Sequence, residues 1–201
     1  MLKVGLTGGL ASGKTFVGCV LEELGCYLIQ ADQLGHEVIA PGGESYAAVV
    51  REFGSGILDQ SGQIDRRALA AQVFPDPQRL AVLNRMVHPP VLKREAELLA
   101  AFAARQPDGI AVVEAAILIE TGSYQRFDRI ILVTCDSELQ VKRAVKRDGL
   151  SEAEVRARLE RQMPLAEKRK FAHFVIDTSG EKEQTVEQTR AVYQALRRID
   201  T

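Results

Sequence analysis

Residues 8–15 read Gly-Gly-Leu-Ala-Ser-Gly-Lys-Thr, and the spacing Gly8-x-x-x-x-Gly13-Lys14-Thr15 is suited to holding phosphate. Glycines let the backbone turn several N–H groups towards one anion, and a helix beginning at the end of the loop adds partial positive charge. Lys14 can reach the terminal phosphates of a nucleoside triphosphate, and the Thr15 hydroxyl can ligate Mg²⁺. At ordinary glycine usage the fixed positions recur by accident in roughly one chain in a hundred of this length. The surroundings make accident remote. Leu2, Val4 and Leu6 fit a buried strand before the loop, and apolar residues at 17, 20, 21 and 24 give a helical face after it. The chain is expected to bind a nucleoside triphosphate.

Other residues could act on the bound phosphates. Thr7, Asp32, Glu114 and Asp136 each close an apolar run predicted as a strand, and in a parallel sheet such ends converge where ligands bind. Asp32 could accept a proton from an attacking hydroxyl or orient Mg²⁺, or it could simply cap a helix at 33–40. Glu114 is placed like an acid that holds metal through water, with a helix cap as the plain alternative. Arg143 and Arg147, four apart, share a helical face. With Lys142, Lys146, Arg156, Arg158, Arg161, Lys168, Arg169 and Lys170 they make 142–170 strongly basic. This is either a solvated charged helix pair or a lid whose arginines neutralise the phosphates. Arg143 is the best single candidate for the second role. Proline disfavours helical geometry in the residue before it, so His88, ahead of Pro89-Pro90, is expected in a turn, as a structural residue or a substrate contact.

These residues need a scaffold. A short second strand is expected over Cys26-Tyr27-Leu28-Ile29, ending at Gln30-Ala31-Asp32, with further strands at 110–113, 129–134 and 174–177. Residues 33–106 carry helical patterns only, punctuated by Pro41-Gly42-Gly43, Gly54-Ser55-Gly56 and Pro89-Pro90. Ser151-x-x-Glu154 is a capping box, and a closing helix is expected at about 181–198. Strands alternating with helices predict an α/β fold with a mostly parallel sheet covered on both faces.

Composition narrows the function classes. Twenty-six basic against 27 acidic residues give no field that would draw nucleic acid or anionic lipid. Trp is absent, so base-stacking platforms are not expected. Cys19, Cys26 and Cys135 have no zinc-type spacing, and Cys19 and Cys135 read as small buried thiols. No apolar run approaches ~20 residues, and the N-terminus goes directly into the first strand, so no signal peptide or membrane span is expected. The expected setting is the cytoplasm.

Taken together, these segments resemble the dephospho-CoA kinase family. The resemblance rests on Leu6-Thr7-Gly8-Gly9 with Ser12-Gly13-Lys14, on Ala31-Asp32, on Gly62-Gln63-Ile64-Asp65-Arg66 and on Leu83-Asn84 with His88-Pro89. It continues through Leu118-Ile119-Glu120, Gln140, Arg143, Arg147-Asp148 and Ile176-Asp177 with Gly180. It implies a P-loop nucleotide-kinase fold in one domain, 1–201: a core of 1–32, 107–141 and 171–201, a helical CoA-binding insert at 33–106 and a lid at 142–170. It implies that MgATP phosphorylates the ribose 3′-hydroxyl of dephospho-CoA, the last step of coenzyme A biosynthesis. ATP would lie on Gly8, Gly9, Leu10, Ala11, Ser12, Gly13, Lys14, Thr15, Phe16, Arg143 and Arg147. Mg²⁺ would sit on Thr15, and the acceptor would meet Thr7, Asp32 and His88. Lys14, Asp32 and Arg143 would be catalytic, with Asp32 as base. No nucleic-acid or membrane partner is implied, and the chain would be a monomer or weak homo-oligomer.

Some positions depart from the family pattern. Ala11 stands where glycine is frequent, tolerable if its φ stays negative. Gln30 replaces a frequent Asp, which leaves Asp32 as the one candidate base. Ala116 stands in place of a common Pro, and Thr178-Ser179-Gly180 replaces a common Asn-x-Gly near the adenine. On the residues alone, a kinase of another small acceptor, such as a nucleoside monophosphate or shikimate, stays open. So does a nucleotide-dependent switch, although the chain has no Asn-Lys-x-Asp guanine-recognition segment.

Overall fold

The computed structural model describes residues 1–199, so the last two residues of the expected core segment 171–201 lie outside the described residues. Five strands, β1 (Leu2–Gly8), β2 (Tyr27–Gln30), β3 (Ile110–Glu114), β4 (Arg129–Thr134) and β5 (Phe174–Asp177), form one sheet in the order β2-β3-β1-β4-β5. All four pairings are parallel, in line with the expected α/β class. All five β3 residues are buried, as strands covered on both faces require. On one face Leu2, Val4, Leu6, Val112, Ile131, Val133 and Ile176 pack with Val17 and Leu21 of α1 (Lys14–Glu23) and Val192 and Leu196 of α9 (Lys182–Leu196). Each such side chain contributes roughly 1.5–3 kcal/mol when fully buried. β1 lies at the centre, with β3 on one side and β4 on the other. The glycine-rich loop therefore leaves the sheet where strand order reverses, the usual ligand position in open α/β sheets.

Packing divides the chain into two units, one formed by Met1–Gln30 with the chain from Ala101 onward, the other by Ala31–Ala100. The second holds α2 (Ala31–Val38), α3 (Tyr46–Phe53), α4 (Arg66–Val73) and most of α5 (Pro77–Arg105). Its core is Val49, Phe53, Ile57, Leu69 and Val73, against which Leu80, Leu83, Met86 and Val87 pack. Asp65 caps α4 by accepting from the Arg67 and Ala68 amides, which accounts structurally for the Asp of the Gly-x-Ile-Asp-Arg segment.

Two expectations fail in this unit. Pro89-Pro90 does not interrupt the helix, so His88 is an exposed mid-helix residue of α5 rather than a turn residue. Pro90 lacks an N–H, which frees the Met86 carbonyl one turn earlier. The buried Ser45 donates its hydroxyl to that carbonyl at 2.7 Å, and the helix continues. Nor is Asp32 a cap for a later helix. The chain passes straight from β2 into α2 at Ala31, leaving Asp32 inside the first helical turn.

Beyond β4 lie α6 (Ser137–Asp148), α7 (Glu152–Glu160) and α8 (Leu165–Arg169). Asp136 caps α6 through the Glu138 and Leu139 amides, and Ser151 with Glu154 forms the expected capping box on α7. Much of the basic character of 142–170 is neutralised locally. Arg156 pairs with Glu138 and Glu152, Lys170 with Glu167, and Arg147 with Asp148. Lys168 is buried and meets Glu120 at 2.6 Å. That contact lies outside hydrogen-bond geometry and leaves both groups without a hydrogen-bond partner, so it is a charge pair whose gain is set against a large desolvation cost. Cys19 is exposed, contrary to expectation, because α1 turns Val17, Gly18, Val20 and Leu21 inward. Cys26 and Cys135 are buried, and burial pushes the Cys26 thiol up to about 12, which leaves it inert at neutral pH. Among the described residues no helix is long and apolar enough to cross a membrane.

Candidate active site

The loop between β1 and α1 is shaped by its glycines. A side chain at Gly8 would place Cβ 2.4 Å from the Val133 carbonyl oxygen, and Gly13 has φ +89° at the helix N-cap. Ala11 has φ +52°, the only positive value at a non-glycine among the described residues. The expected negative φ is thereby corrected. Position 11 needs the left-handed conformation that glycine adopts freely, and alanine costs about 1–2 kcal/mol there. The Lys14 ammonium folds back to donate to the Gly8 and Gly9 carbonyls at 3.1 and 3.0 Å.

Thr15 opens the acidic side. Its hydroxyl donates to Glu114 Oε1 at 2.8 Å, and the Gln30 amide donates to Glu114 Oε2 at 3.2 Å. The register explains the grouping: Glu114 sits opposite Leu6 of β1 and Gln30 of β2. Glu114 is buried and caps no helix. An Asp at position 30 would set a second carboxylate against it, whereas the Gln30 amide satisfies one of its oxygens. A hydroxyl beside a buried carboxylate is a hard-oxygen pair suited to Mg²⁺. Among the described residues there is no group of three or more His, Cys, Asp or Glu that could form a cage.

Arg143 lies mid-α6, half-buried. It donates to Thr178 Oγ1 at 2.9 Å, to the Thr178 carbonyl at 2.8 Å and to Cys135 Sγ at 3.3 Å. Thr178, just after β5, donates its own hydroxyl to the Ser12 carbonyl at 2.7 Å. A chain of polar contacts thus joins Arg143 to the phosphate loop through Thr178, which sequence reasoning placed only near the adenine. Arg147 does not join this group. It forks onto Asp148 at 2.7 and 2.9 Å, and that contact raises its pKa and holds the Asp148 carboxyl below its usual range.

The remaining candidates are placed as follows. Phe16 is half-buried under the Lys182 ammonium, 5.8 Å from the ring centre. Thr7 is fully buried and donates to the Ala116 carbonyl at 3.2 Å. Asp32 and His88 belong to the helical unit, and both are exposed there. Two residues not singled out as site candidates approach the loop closely. Gln140 donates to the Leu10 carbonyl at 2.8 Å, and Gln162 accepts from the Leu10 amide at 3.0 Å. Gln140 is among the residues that carry the family resemblance, whereas nothing in the sequence around Gln162 signals such a contact.

The dephospho-CoA kinase family model matches residues 2–184. A dephospho-CoA kinase from Aquifex aeolicus is 40% identical over 198 residues, covering 98% of this chain and 99% of its own length. One from Geobacter sulfurreducens is 43% identical over 181 residues, with 90% and 91% covered. The crystal structure of TT1252 from Thermus thermophilus superposes with a TM-score of 0.85 at 33% identity, covering 97% of each chain. With its phosphate loop, parallel sheet and near full-length matches, the chain belongs to the dephospho-CoA kinase family.

Proposed function

We propose that the chain transfers the γ-phosphoryl group of ATP to the ribose 3′-hydroxyl of dephospho-CoA, giving coenzyme A and ADP in the last step of coenzyme A biosynthesis. The observation that carries this reading is the Gly8–Thr15 loop on β1, in a chain matched by the family along nearly its whole length. The loop amides and Lys14 cradle the β- and γ-phosphates. Arg143, tied to that loop through Thr178, offers a second cation to the transferring group. Thr15 would hold Mg²⁺, with Glu114 behind it, and the ion would supply positive charge against that of the phosphates. As the acceptor oxygen bonds to the γ-phosphorus, the bond from that phosphorus to the β–γ bridging oxygen breaks, and the hydroxyl proton passes to Asp32. Asp32 suits the base: its carboxylate is exposed in the first turn of α2, two residues past Gln30. The insert at 33–106, with His88 and Thr7, is assigned to the acceptor, and 142–170 to a lid. The protein is read as a cytoplasmic monomer or weak homo-oligomer with no nucleic-acid or membrane partner.

An acceptor comparison tests the reading. With MgATP, turnover is expected with dephospho-CoA and not with AMP or shikimate; a preference for either of the latter would overturn it. Arg143→Ala is expected to lower kcat by about 10² while ATP affinity without acceptor changes less than about fivefold, since it serves the charge of the transition state. Collapse of ATP affinity with kcat preserved would make Arg143 an ordinary binding residue.

A further inference from the structure

The tip of the glycine-rich loop is gripped from two sides. Gln140 on α6 donates to the Leu10 carbonyl at 2.8 Å, and Gln162, beyond α7, accepts from the Leu10 N–H at 3.0 Å. The two amides thus hold the two peptide planes that flank the Leu10 Cα. Because peptide units are planar and trans, fixing the Leu10 carbonyl fixes the plane that sets φ of Ala11. It also directs the Ala11 N–H away from Gln140. Ala11 is the residue held at φ +52°, a conformation alanine does not keep without support. A second observation points the same way. A Cβ at Gly9 would lie 2.7 Å from Gln140 Nε2 and 3.4 Å from Gln162 Oε1, so the glycine makes room for both amides. The side chains of Leu10 and Ala11 pack on the Val141, Ala144 and Val155 cluster, which seats the tip on the α6–α7 pair.

We propose that Gln140 and Gln162 are positioning residues for phosphoryl transfer. They hold the Leu10 and Ala11 peptides in the strained turn that presents loop N–H groups to the nucleotide phosphates. Through Gln162 the state of the 142–170 segment reaches that turn. The proposal rests on the reading that this loop carries ATP. Neither glutamine needs to touch the nucleotide.

The test is steady-state kinetics of Gln140→Leu and Gln162→Leu, with ATP and dephospho-CoA varied in turn, beside ADP titration calorimetry and thermal melting. Each variant is expected to lose about tenfold in kcat/KM for ATP, the scale of one lost positioning hydrogen bond. ADP affinity should fall in parallel, and KM for dephospho-CoA should stay within about twofold. Glycine tolerates positive φ without help. The loss on Gln140→Leu, measured relative to an Ala11→Gly parent, should therefore shrink to about threefold or less. Should the leucine variant not fold, Gln140→Glu, which keeps the size but cannot donate, is expected to show the same loss. Unchanged kcat/KM for ATP in both variants would overturn the proposal. So would an equal shift in KM for dephospho-CoA, or an undiminished loss in the Ala11→Gly background. A wild-type protein inactive on dephospho-CoA would defeat the functional reading instead, and ADP affinity would still decide the clamp.

Discussion

Asp32→Asn is expected to lower kcat by roughly 10²–10⁴, the usual scale for a positioned proton acceptor. A ribose hydroxyl is a poor nucleophile at neutral pH, and asparagine keeps the shape of aspartate while losing its basicity. The fold should scarcely notice. Asp32 is exposed in the first turn of α2, where its charge adds about 0.3–1 kcal/mol through the helix dipole. Melting temperature and ATP affinity should therefore stay near wild type while turnover collapses. Retention of more than about a tenth of wild-type kcat would leave Asp32 as a surface residue and send the search for the base elsewhere.

Lys14→Ala should be the more severe loss, with kcat/KM reduced by about 10³ or more, the upper range for removing one preorganised charge-stabilising donor. The ammonium donates to the Gly8 and Gly9 carbonyls. Those bonds hold it beside the loop, and their removal should cost about 1 kcal/mol of stability. A melting curve shifted by a few degrees alongside near-complete inactivity is the expected pair of observations. Turnover comparable to wild type would remove the loop from the mechanism.

What the sequence made readable follows the range of the forces involved. β4 and β5 lie where their apolar runs predict, because strands covered on both faces leave a continuous hydrophobic record. The loop was legible because its chemistry constrains several adjacent positions. Ala11 was misjudged because φ at one residue depends on peptide planes held from elsewhere, here by Gln140 at sequence distance 130. Pro89-Pro90 was misread because local geometry forbids what one distant hydroxyl, Ser45, permits. The basic stretch at 142–170 left two readings open, because charge counting alone does not show that Glu138, Glu152 and Asp148 pair with its arginines.

The central place of β1 also bears on how the chain acquires its structure. β1 precedes the other four strands in the chain, yet its pairing partners begin at Ile110 and Arg129. Until the residues from Ile110 onward are in place, an apolar strand with two open edges has nothing to bond with, while the core of Ala31–Ala100 can form from nearby residues. Closing such long loops is entropically slow. The phosphate loop on β1 should thus be among the last parts to become ordered. In pulsed hydrogen exchange during refolding, protection of the helical insert should precede that of Val4 and Leu6.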